Sequence, residues 1–267
     1  MRFVSFNING LRAHMHQLDT IIQQLKPDVL GLQETKVHDN AFPIKTILKY
    51  GYNVYYHGQK KYHGVALFLR QQPISIIKGF KNEDFFFQKR IITAHITTST
   101  GNLTIINIYC PQGENNQSNK FILKRQFFQN FQHYIQNTYN NKSLLLIMGD
   151  MNISPTDLDI GIGEKNKKRW IAMGRCSFLP EEQQWLKQLI NWGLIDIYRE
   201  MNPCSNKRYS WFSYRSNSFF KNQGLRIDLV LVTQALAAHY KYSNISYEIR
   251  NMPKPSDHAP IWVDFDI

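Results

Sequence analysis

An apolar run in the middle of the chain ends in a polar corner, and this feature constrains the fold most. Residues 144–148 are consecutive apolar residues, which is typical of a strand buried on both faces. Gly149, Asp150 and Asn152 follow directly. In an extended chain Asp150 and Asn152 point to the same side, so the sequence predicts an oxygen-rich corner that can hold a divalent cation or orient a water. Taken alone, the same residues are equally consistent with a turn in which they only cap backbone groups.

The same pattern recurs along the chain, which favours the functional interpretation over the turn. A strand-like apolar segment meets a carboxylate, an amide or an imidazole at Asn7, at Glu34, at Asp228 and at the neighbours Asp257 and His258. Asp228 falls inside an otherwise apolar segment. A buried carboxylate is costly without a partner, so we expect a hydrogen-bond donor to meet it.

A spacing of two residues between polar side chains appears twice. Asn7 and Asn9 share one face of the predicted first strand, residues 3–9, in the way that Asp150 and Asn152 do. We therefore expect the chain to contain two similar halves that each begin with such a strand.

Hydrophobic periodicity predicts strands throughout the chain, with helices between some of them and hairpins between others. One amphipathic helix ends at Pro27, and another begins at Pro180 and buries Ile190. The charged run at residues 164–170 is expected to be a solvated loop. No linker divides the chain, so the sequence predicts a single α/β (α+β) domain over residues 1–267, with two mixed sheets packed together and helices outside.

The composition indicates a basic, cytoplasmic protein. The chain has 267 residues, of which 43% are hydrophobic, and a formal net charge of +12. So basic a chain usually meets a polyanion such as nucleic acid, although a lysine-rich proteome would produce the same charge. No run approaches the roughly 18–20 apolar residues of a membrane-spanning helix. The N-terminus lacks the apolar segment of a signal peptide, and the odd, scattered cysteines argue against a disulfide framework or a zinc site.

The strand-end motifs, taken in order, resemble those of the endonuclease/exonuclease/phosphatase superfamily, and more closely those of the exonuclease III family of bacterial apurinic/apyrimidinic endonucleases. The resemblance runs from about Met1 to Ile267 and implies the deoxyribonuclease I-like fold, a four-layered sandwich of two mixed β-sheets with helices outside. The motifs are Ser5-Phe6-Asn7-Ile8-Asn9-Gly10-Leu11-Arg12, Leu32-Gln33-Glu34-Thr35-Lys36, Gly149-Asp150-Met151-Asn152, Leu225-Arg226-Ile227-Asp228 and Ser256-Asp257-His258-Ala259-Pro260.

The resemblance implies a metal site at these strand ends. Glu34 is the expected main ligand of Mg²⁺, for which Mn²⁺ can substitute, with Asn7 and Asp257 close to the ion. Asp150 and Asn152 are expected to contact the metal or its water as well.

The resemblance also implies the catalytic groups. Asp150 is expected to position or deprotonate the attacking water, and Asn152 to hold the water or the scissile phosphate. Asp228 is expected to pair with a ring nitrogen of His258, which would bind the phosphate, transfer a proton or contact the metal. Tyr109 is expected to contact the phosphate. Whether Asp150 or His258 is the general base stays open.

The DNA contacts implied by the resemblance surround this centre. Trp211, Leu225 and Ile227 correspond to a pocket for a sugar that lacks its base, which a normal nucleotide would not enter. The basic run from Lys165 to Arg169 is expected to hold backbone phosphates without sequence preference. The other expected DNA-binding residues are Arg90, Gln112, Lys120, Phe212 and Arg215.

The predicted function is that of a Mg²⁺-dependent DNA-repair nuclease that acts as a monomer. It would hydrolyse the phosphodiester 5′ to abasic sites in double-stranded DNA and would also have 3′-to-5′ exonuclease and 3′-phosphatase or phosphodiesterase activity. A phosphoesterase of the same fold that acts on inositol phosphates or sphingomyelin is the alternative, but it would require neither the +12 charge nor Trp211 with Leu225. A DNA-binding module without catalysis is disfavoured because every expected catalytic position holds a competent residue.

Overall fold

Two six-stranded sheets face each other at the centre of the structure. The computed structural model describes residues 1–80, 89–204 and 207–267. The strands, in chain order, are β1 (Arg2–Asn7), β2 (Val29–Gln33), β3 (Asn53–His57), β4 (Val65–Leu69), β5 (Ser75–Lys78), β6 (Ile91–Thr98), β7 (Gly101–Tyr109), β8 (Leu144–Asp150), β9 (Leu194–Asp196), β10 (Asp228–Thr233), β11 (Tyr240–Ile245) and β12 (Ile261–Phe265). The spatial order is β11-β12-β1-β2-β4-β3 in the first sheet and β5-β6-β7-β8-β10-β9 in the second.

Helices cover the outer face of each sheet, so the predicted four-layered sandwich is confirmed. The helices are α1 (Met15–Thr20), α2 (Ile44–Leu48), α3 (Asn119–Thr138), α4 (Glu164–Ala172), α5 (Pro180–Trp192), α6 (Ile197–Met201), α7 (Gln234–Ala237) and α8 (Tyr247–Arg250). One apolar cluster fills the space between the sheets, a second joins α3 and α5 to the second sheet, and a third joins α1 and α2 to the first. The central strands β2 and β8 are therefore covered on both faces, which explains their continuous apolar sequences.

The two sheets repeat one topology. When the strands of the two sheets are compared position by position in the stated order, parallel and antiparallel pairs occur at the same places. The one parallel pair that the described residues form is β1 with β2 in the first sheet and β7 with β8 in the second. The similar halves are thus present, but β1 corresponds to β7, and β2 corresponds to β8. The predicted match of Asn7 with Asp150 is wrong, because Asp150 at the end of β8 corresponds to the end of β2, next to Glu34.

Several predicted boundaries need correction. The first strand ends at Asn7 rather than Asn9, because Asn9 has a φ of +47°, outside the extended region. Asp228 begins β10 instead of lying inside a longer strand. The charged run is part of helix α4 and not a loop, since Glu164 and Lys168 lie one turn apart on that helix. Ile190 in α5 is 38% exposed, so it does not belong to the buried face.

None of the helices found in the described segments is long and apolar enough to cross a membrane.

Candidate active site

Polar side chains converge where the parallel strands of both sheets end. Asn7 ends β1 and Glu34 directly follows β2, while Tyr109 ends β7 and Asp150 ends β8. Tyr109 and Asp150 are paired in the register of β7 with β8. Because both parallel pairs present their carboxyl ends at the same edge of the sandwich, residues from distant parts of the sequence share one site.

Asn7 ties the two sheets together at this edge. Its side-chain amide is fully buried and its Nδ2 donates to Glu34 Oε1 at 2.9 Å and to Asp150 Oδ2 at 2.9 Å. The Asn7 Oδ1 atom accepts from the backbone N–H of Asn9 at 3.0 Å. The amide therefore fixes two carboxylates, one from each sheet, at a defined separation.

Asp150 and Asn152 meet through a turn and not through an extended strand. Asn152 has a φ of +51°, which brings its backbone N–H to 2.8 Å from Asp150 Oδ1. Its side-chain Nδ2 donates to the carbonyl of Cys110 at 2.9 Å and to Asp150 Oδ2 at 3.2 Å. The prediction that these side chains are neighbours is confirmed, but the predicted extended geometry is wrong.

Asp228 has the hydrogen-bond donor that its burial led us to expect, and this donor is His258. His258 Nδ1 lies 2.8 Å from Asp228 Oδ2, and both side chains are almost completely buried. His258 Nε2 thereby points towards Asp150, whose Oδ2 lies 3.8 Å away. Asp228 Oδ1 has no hydrogen-bond partner among the described residues.

The buried charged groups of the site shift the pKa values of Asp150 and His258. Burial, together with the negative charge of Asp228, raises the pKa of Asp150 to about 7. Burial lowers the pKa of His258, but the charges of Asp228, Asp150 and Asp257 outweigh it and raise this pKa to about 10. Asp228 therefore favours the protonated imidazolium and holds Nε2 as a donor.

Glu34 lies beside an ammonium group. Lys36 Nζ is 2.8 Å from Glu34 Oε2 and also donates to Asn9 Oδ1. Burial raises the pKa of Glu34, but Lys36 and Asn7 outweigh this and lower it. Glu34 and Lys36 both have positive φ, at +51° and +54°, a conformation costly for residues other than glycine. Such strain is characteristic of functional sites, and the Glu34 carboxylate is held there by Asn7 and Lys36.

The donor set fits a divalent cation. Asp150 supplies one carboxylate, and Glu34 supplies a second that is linked to Asp150 through Asn7. Asp228 and His258 offer atoms within 4.8 Å of Asp150, but they bond to each other. Carboxylate and amide oxygens suit a hard cation that keeps several waters.

Tyr109 is held from behind by Arg90. The guanidinium of Arg90 lies 4.7 Å from the centre of the Tyr109 ring, and its Nη1 donates to the Tyr109 carbonyl at 3.1 Å. Burial, followed by the charge of Glu34, raises the pKa of Tyr109, so its hydroxyl remains a proton donor. Arg90 is only 6% exposed and packs against Tyr109, and its predicted contact with DNA stays a prediction.

Asp257 bonds to residues beside the site and not to its two carboxylates. Its carboxylate accepts from Asn9 Nδ2 at 2.8 Å and from Trp211 Nε1 at 2.9 Å. These bonds orient Asp257 towards Asn9 and Trp211, and neither Glu34 nor Asp150 is among its partners in the described part of the chain.

An apolar cluster packs against Trp211. Leu225 and Ile227 pack with Ile162 and Phe178 beneath Trp211, and their exposures are 1% and 3%. Trp211 is one of three partly exposed members of the cluster, with Ile160 and Trp170, and Leu225 and Ile227 are buried behind it. The predicted pocket residues are brought together.

The remaining predicted DNA-binding residues divide into exposed and buried ones. Gln112, Lys120 and Arg215 are exposed, and Lys120 is paired with Glu114. Phe212 is fully buried among Tyr209, Phe219 and Tyr247, so its side chain is part of the core in this structure and its contact with DNA stays a prediction. Successive side chains of an extended segment point to opposite sides, so Phe212 faces the core while its neighbour Trp211 faces outwards.

Three residues with contacts to the site were missed by the sequence reasoning. Asn9 and Lys36 both occur in the quoted motifs, but their roles depend on positive φ values that no hydrophobic pattern reveals. Lys124 is a fully buried lysine whose Nζ donates to the carbonyl of Asn152 at 2.9 Å. Its neighbours Phe121 and Phe128 are buried members of the same helix face, and this spacing was the available signal.

Comparison with known proteins identifies the family. Residues 4–258 match the model of the Endonuclease/Exonuclease/phosphatase family. The chain is 52% identical to the exodeoxyribonuclease III of Haemophilus influenzae over 266 residues, which are 99% of this chain and 100% of that relative.

Solved structures agree in fold over the whole chain. A 3′ phosphatase from Neisseria bound to a product DNA hairpin is 33% identical, with a TM-score of 0.90 and coverage of 100% of both chains. An AP endonuclease from Archaeoglobus fulgidus is 29% identical, with a TM-score of 0.91 and coverage of 100% of both chains. Together with the strand-end site, these matches establish that the chain belongs to the Endonuclease/Exonuclease/phosphatase family.

Proposed function

We propose that this chain is a Mg²⁺-dependent DNA-repair nuclease that hydrolyses the phosphodiester 5′ to abasic sites in double-stranded DNA and processes 3′ ends. The observation that carries the proposal is the Asn7 amide, which binds Glu34 and Asp150 from different sheets beside the Asp228–His258 pair. The similarity to an exodeoxyribonuclease III and to an AP endonuclease supports it. We expect residues 1–267 to act as one cytoplasmic, monomeric domain.

Glu34 and Asp150 would hold the Mg²⁺ ion, for which Mn²⁺ can substitute, with Asn7 fixing both carboxylates. The ion supplies Lewis-acid stabilisation of the charge that develops on the phosphate and leaving oxygen. Asp150 would also orient the attacking water and take its proton, because its carboxylate lies at the centre of the site. Asn152 holds the Asp150 carboxylate through two hydrogen bonds and keeps it in this orientation.

His258 and Tyr109 would bind the phosphate from the other side. Asp228 holds His258 Nδ1, so the Nε2–H is free to donate to a phosphate oxygen near Asp150. The Tyr109 hydroxyl remains protonated next to the carboxylates and supplies a second donor. Donors fixed in advance lower the barrier because they need no reorganisation when the charge develops.

Trp211, Leu225 and Ile227 would select the base-less sugar. Asp257 fixes the Trp211 indole through Nε1, and the buried Leu225 and Ile227 give the cluster a rigid wall. A flipped sugar without a base has the least unstacking cost and the smallest volume.

The test uses a duplex with one tetrahydrofuran abasic analogue, labelled at its 5′ end. We expect a single nick 5′ to the lesion with Mg²⁺, none with EDTA, and a loss of several orders of magnitude in Glu34→Gln. Glu200→Gln serves as the control, since Glu200 is an exposed residue of α6. Intact duplex under all conditions, with folded protein, would refute the proposal, and hydrolysis of inositol phosphates or sphingomyelin by the same protein would identify the alternative phosphoesterase.

A further inference from the structure

Two buried serines hold the backbone of the Asp228–His258 pair. Ser256 and Ser210 are both fully buried. Ser256 Oγ accepts from the backbone N–H of His258 at 3.2 Å, and Ser210 Oγ accepts from the backbone N–H of Asp228 at 2.9 Å. Because a buried backbone N–H group is costly to leave unpaired, each serine fixes the position of the residue that it binds.

Ser256 also connects this pair to the two carboxylates of the site. Its hydroxyl donates to the backbone carbonyl of Asn7 at 2.7 Å, while the same oxygen accepts from His258. A serine hydroxyl can donate once and accept twice, so one side chain can make both bonds. Asn7 in turn binds Glu34 and Asp150 through its amide. Ser256 is thus a direct link between the segment that carries His258 and the residue that sets the separation of the carboxylates.

Gln17 of helix α1 holds Ser256 in place. Its side chain is fully buried, and its Oε1 accepts from the backbone N–H of Ser256 at 2.7 Å. Its Nε2 donates to the carbonyl of Ile249 in α8 at 2.8 Å. One amide therefore binds both ends of the connection between α8 and Ser256. The position of Ser256 depends on helix α1 as well as on its own loop.

Ser210 fixes the other side of the pair. Its Oγ accepts from the backbone N–H groups of Ile227 at 3.0 Å and Asp228 at 2.9 Å, at the start of strand β10. Its carbonyl accepts from the N–H of Ala259, the residue after His258, at 2.7 Å. Ser210 therefore holds the backbone on both sides of the Asp228–His258 hydrogen bond, which is 2.8 Å long.

We propose that Ser256, anchored by Gln17, and Ser210 are positioning residues for phosphodiester hydrolysis. Their hydroxyl groups set where the His258 imidazole lies relative to Asn7. Both serine side chains are fully buried, so they act through the catalytic pair and not by contact with DNA. This inference rests on the proposed function and deepens it. Misplacement of a catalytic group by about 1 Å can cost about 10²-fold in rate, so we expect the serines to affect turnover more than substrate affinity.

The first experiment compares variants that each lose one buried hydroxyl. In Ser256→Ala and in Ser210→Ala we expect kcat for nicking of the tetrahydrofuran duplex to fall by about tenfold to 10²-fold. We expect KM to stay within about twofold of the wild-type value, because the lost bonds position a group that acts in the transition state. Steady-state kinetics gives both constants, and urea denaturation gives the stability of each variant.

Thr233→Val is the matched control. Thr233 is fully buried at the opposite end of β10 from Asp228. Its Oγ1 donates to the carbonyl of Ser143 at 2.6 Å and accepts from the N–H of Leu145 at 3.3 Å. This variant therefore also loses a buried hydroxyl with two backbone partners, and we expect a similar loss of stability with the wild-type kcat. An equal fall of kcat in the control, or the wild-type kcat in both serine variants, would overturn the proposal.

A further variant keeps both serine hydroxyls. Gln17→Met removes the bond to the Ser256 N–H, so it tests the anchor even where Ser256→Ala does not fold. We expect kcat to fall in the same direction as in the serine variants, again with little change in KM. A Gln17→Met protein with the wild-type kcat would contradict the anchoring of Ser256 by helix α1.

The second experiment observes His258 without DNA. The Nδ1 proton that bonds to Asp228 is expected to give a low-field resonance in the proton NMR spectrum, which His258→Gln identifies by its loss. We expect this resonance to shift or broaden in both serine variants and to stay in place in Thr233→Val. A resonance that is unchanged in both serine variants would overturn the proposal.

The two experiments together separate this inference from the proposed function. A wild type that nicks the abasic duplex, with serine variants that nick it equally fast, rejects the inference alone. A wild type that never nicks the duplex rejects the nuclease. In that case the His258 resonance still decides whether the serines position the pair.

Discussion

Lys124 Nζ lies 2.5 Å from Glu182 Oε1, and neither side chain of this ion pair is exposed. The same ammonium donates to the carbonyls of Asn152 at 2.9 Å and Gln112 at 3.2 Å, while Glu182 Oε2 accepts from the backbone N–H of Ser177 at 2.8 Å. The pair therefore connects helices α3 and α5 to the turn that carries the candidate catalytic residue Asn152. A buried charge with this many partners positions the backbone around it.

Removing one partner of this pair should destabilise the fold. For Lys124→Met we expect a loss of about 3–5 kcal/mol in the free energy of unfolding, because Glu182 is left as an unpaired buried charge. Urea denaturation measures the change. The double variant Lys124→Met, Glu182→Gln should lose less than the sum of the single losses, since each single variant leaves a mismatched partner. Strictly additive losses would show that the two charges do not interact.

The Asp228–His258 pair should control turnover more than substrate binding. For Asp228→Asn we expect kcat to fall by on the order of 10²–10⁴-fold with little change in KM, because an amide neither stabilises the imidazolium nor fixes its Nε2–H. Steady-state kinetics on the abasic duplex tests this. Asp264→Asn, which disturbs a partly exposed ion pair with Arg2, is the control and should keep its kcat. An unchanged kcat in Asp228→Asn would mean that His258 acts without its partner.

Metal binding should be visible without any substrate. With Mg²⁺ at about 100 times its dissociation constant, a site that exists only in the folded state stabilises the protein by about 2.7 kcal/mol. We expect Mg²⁺ to raise the melting temperature of the wild type and to have a much smaller effect on Glu34→Gln. Ca²⁺, which has the same charge and different coordination, provides the comparison. Equal stabilisation of both proteins by Mg²⁺ would place the cation elsewhere.

The strand-end residues were predictable because a buried strand has a simple signature. The apolar runs before Asp150 and Glu34 mark central strands, and the carboxyl ends of such strands meet at one edge. The existence of a hydrogen-bond donor next to Asp228 was also predictable, because a buried carboxylate is costly without one.

Other parts of the site depend on contacts that a linear pattern does not contain. Lys124 is a polar residue in a helix and looks like a surface lysine until Glu182 is found opposite to it. The turns at Asn9 and Asn152 depend on positive φ values, which asparagine permits but does not impose. The charges of the Lys165–Arg169 run concealed the periodicity of helix α4.

A network of four charged residues, Arg226, Arg199, Asp159 and Asp196, should make stability depend on pH. Arg226 is fully buried and binds Asp159 through Nε at 2.7 Å and Asp196 through Nη2 at 2.6 Å. Burial raises the pKa of Asp159, but the charges and hydrogen bonds of Arg226 and Arg199 outweigh it and lower this pKa below its ordinary value. A carboxyl group with a lowered folded-state pKa stabilises the fold above its unfolded value of about 4, and this contribution is lost as pH falls through the folded value.

Comparison of wild type and Asp159→Asn by urea denaturation at several pH values tests this linkage. Near neutral pH we expect the variant to be less stable by about 3–5 kcal/mol, because Arg226 loses a charged partner in the core. Below about pH 4 the difference should shrink, since protonation then neutralises the wild-type carboxylate as well. Asp157→Asn is the control, because the Asp157 side chain is 79% exposed, and we expect it to change stability by less than about 0.5 kcal/mol at every pH. A difference that stays constant down to the lowest pH would show that the network stabilises the fold by packing and not by charge.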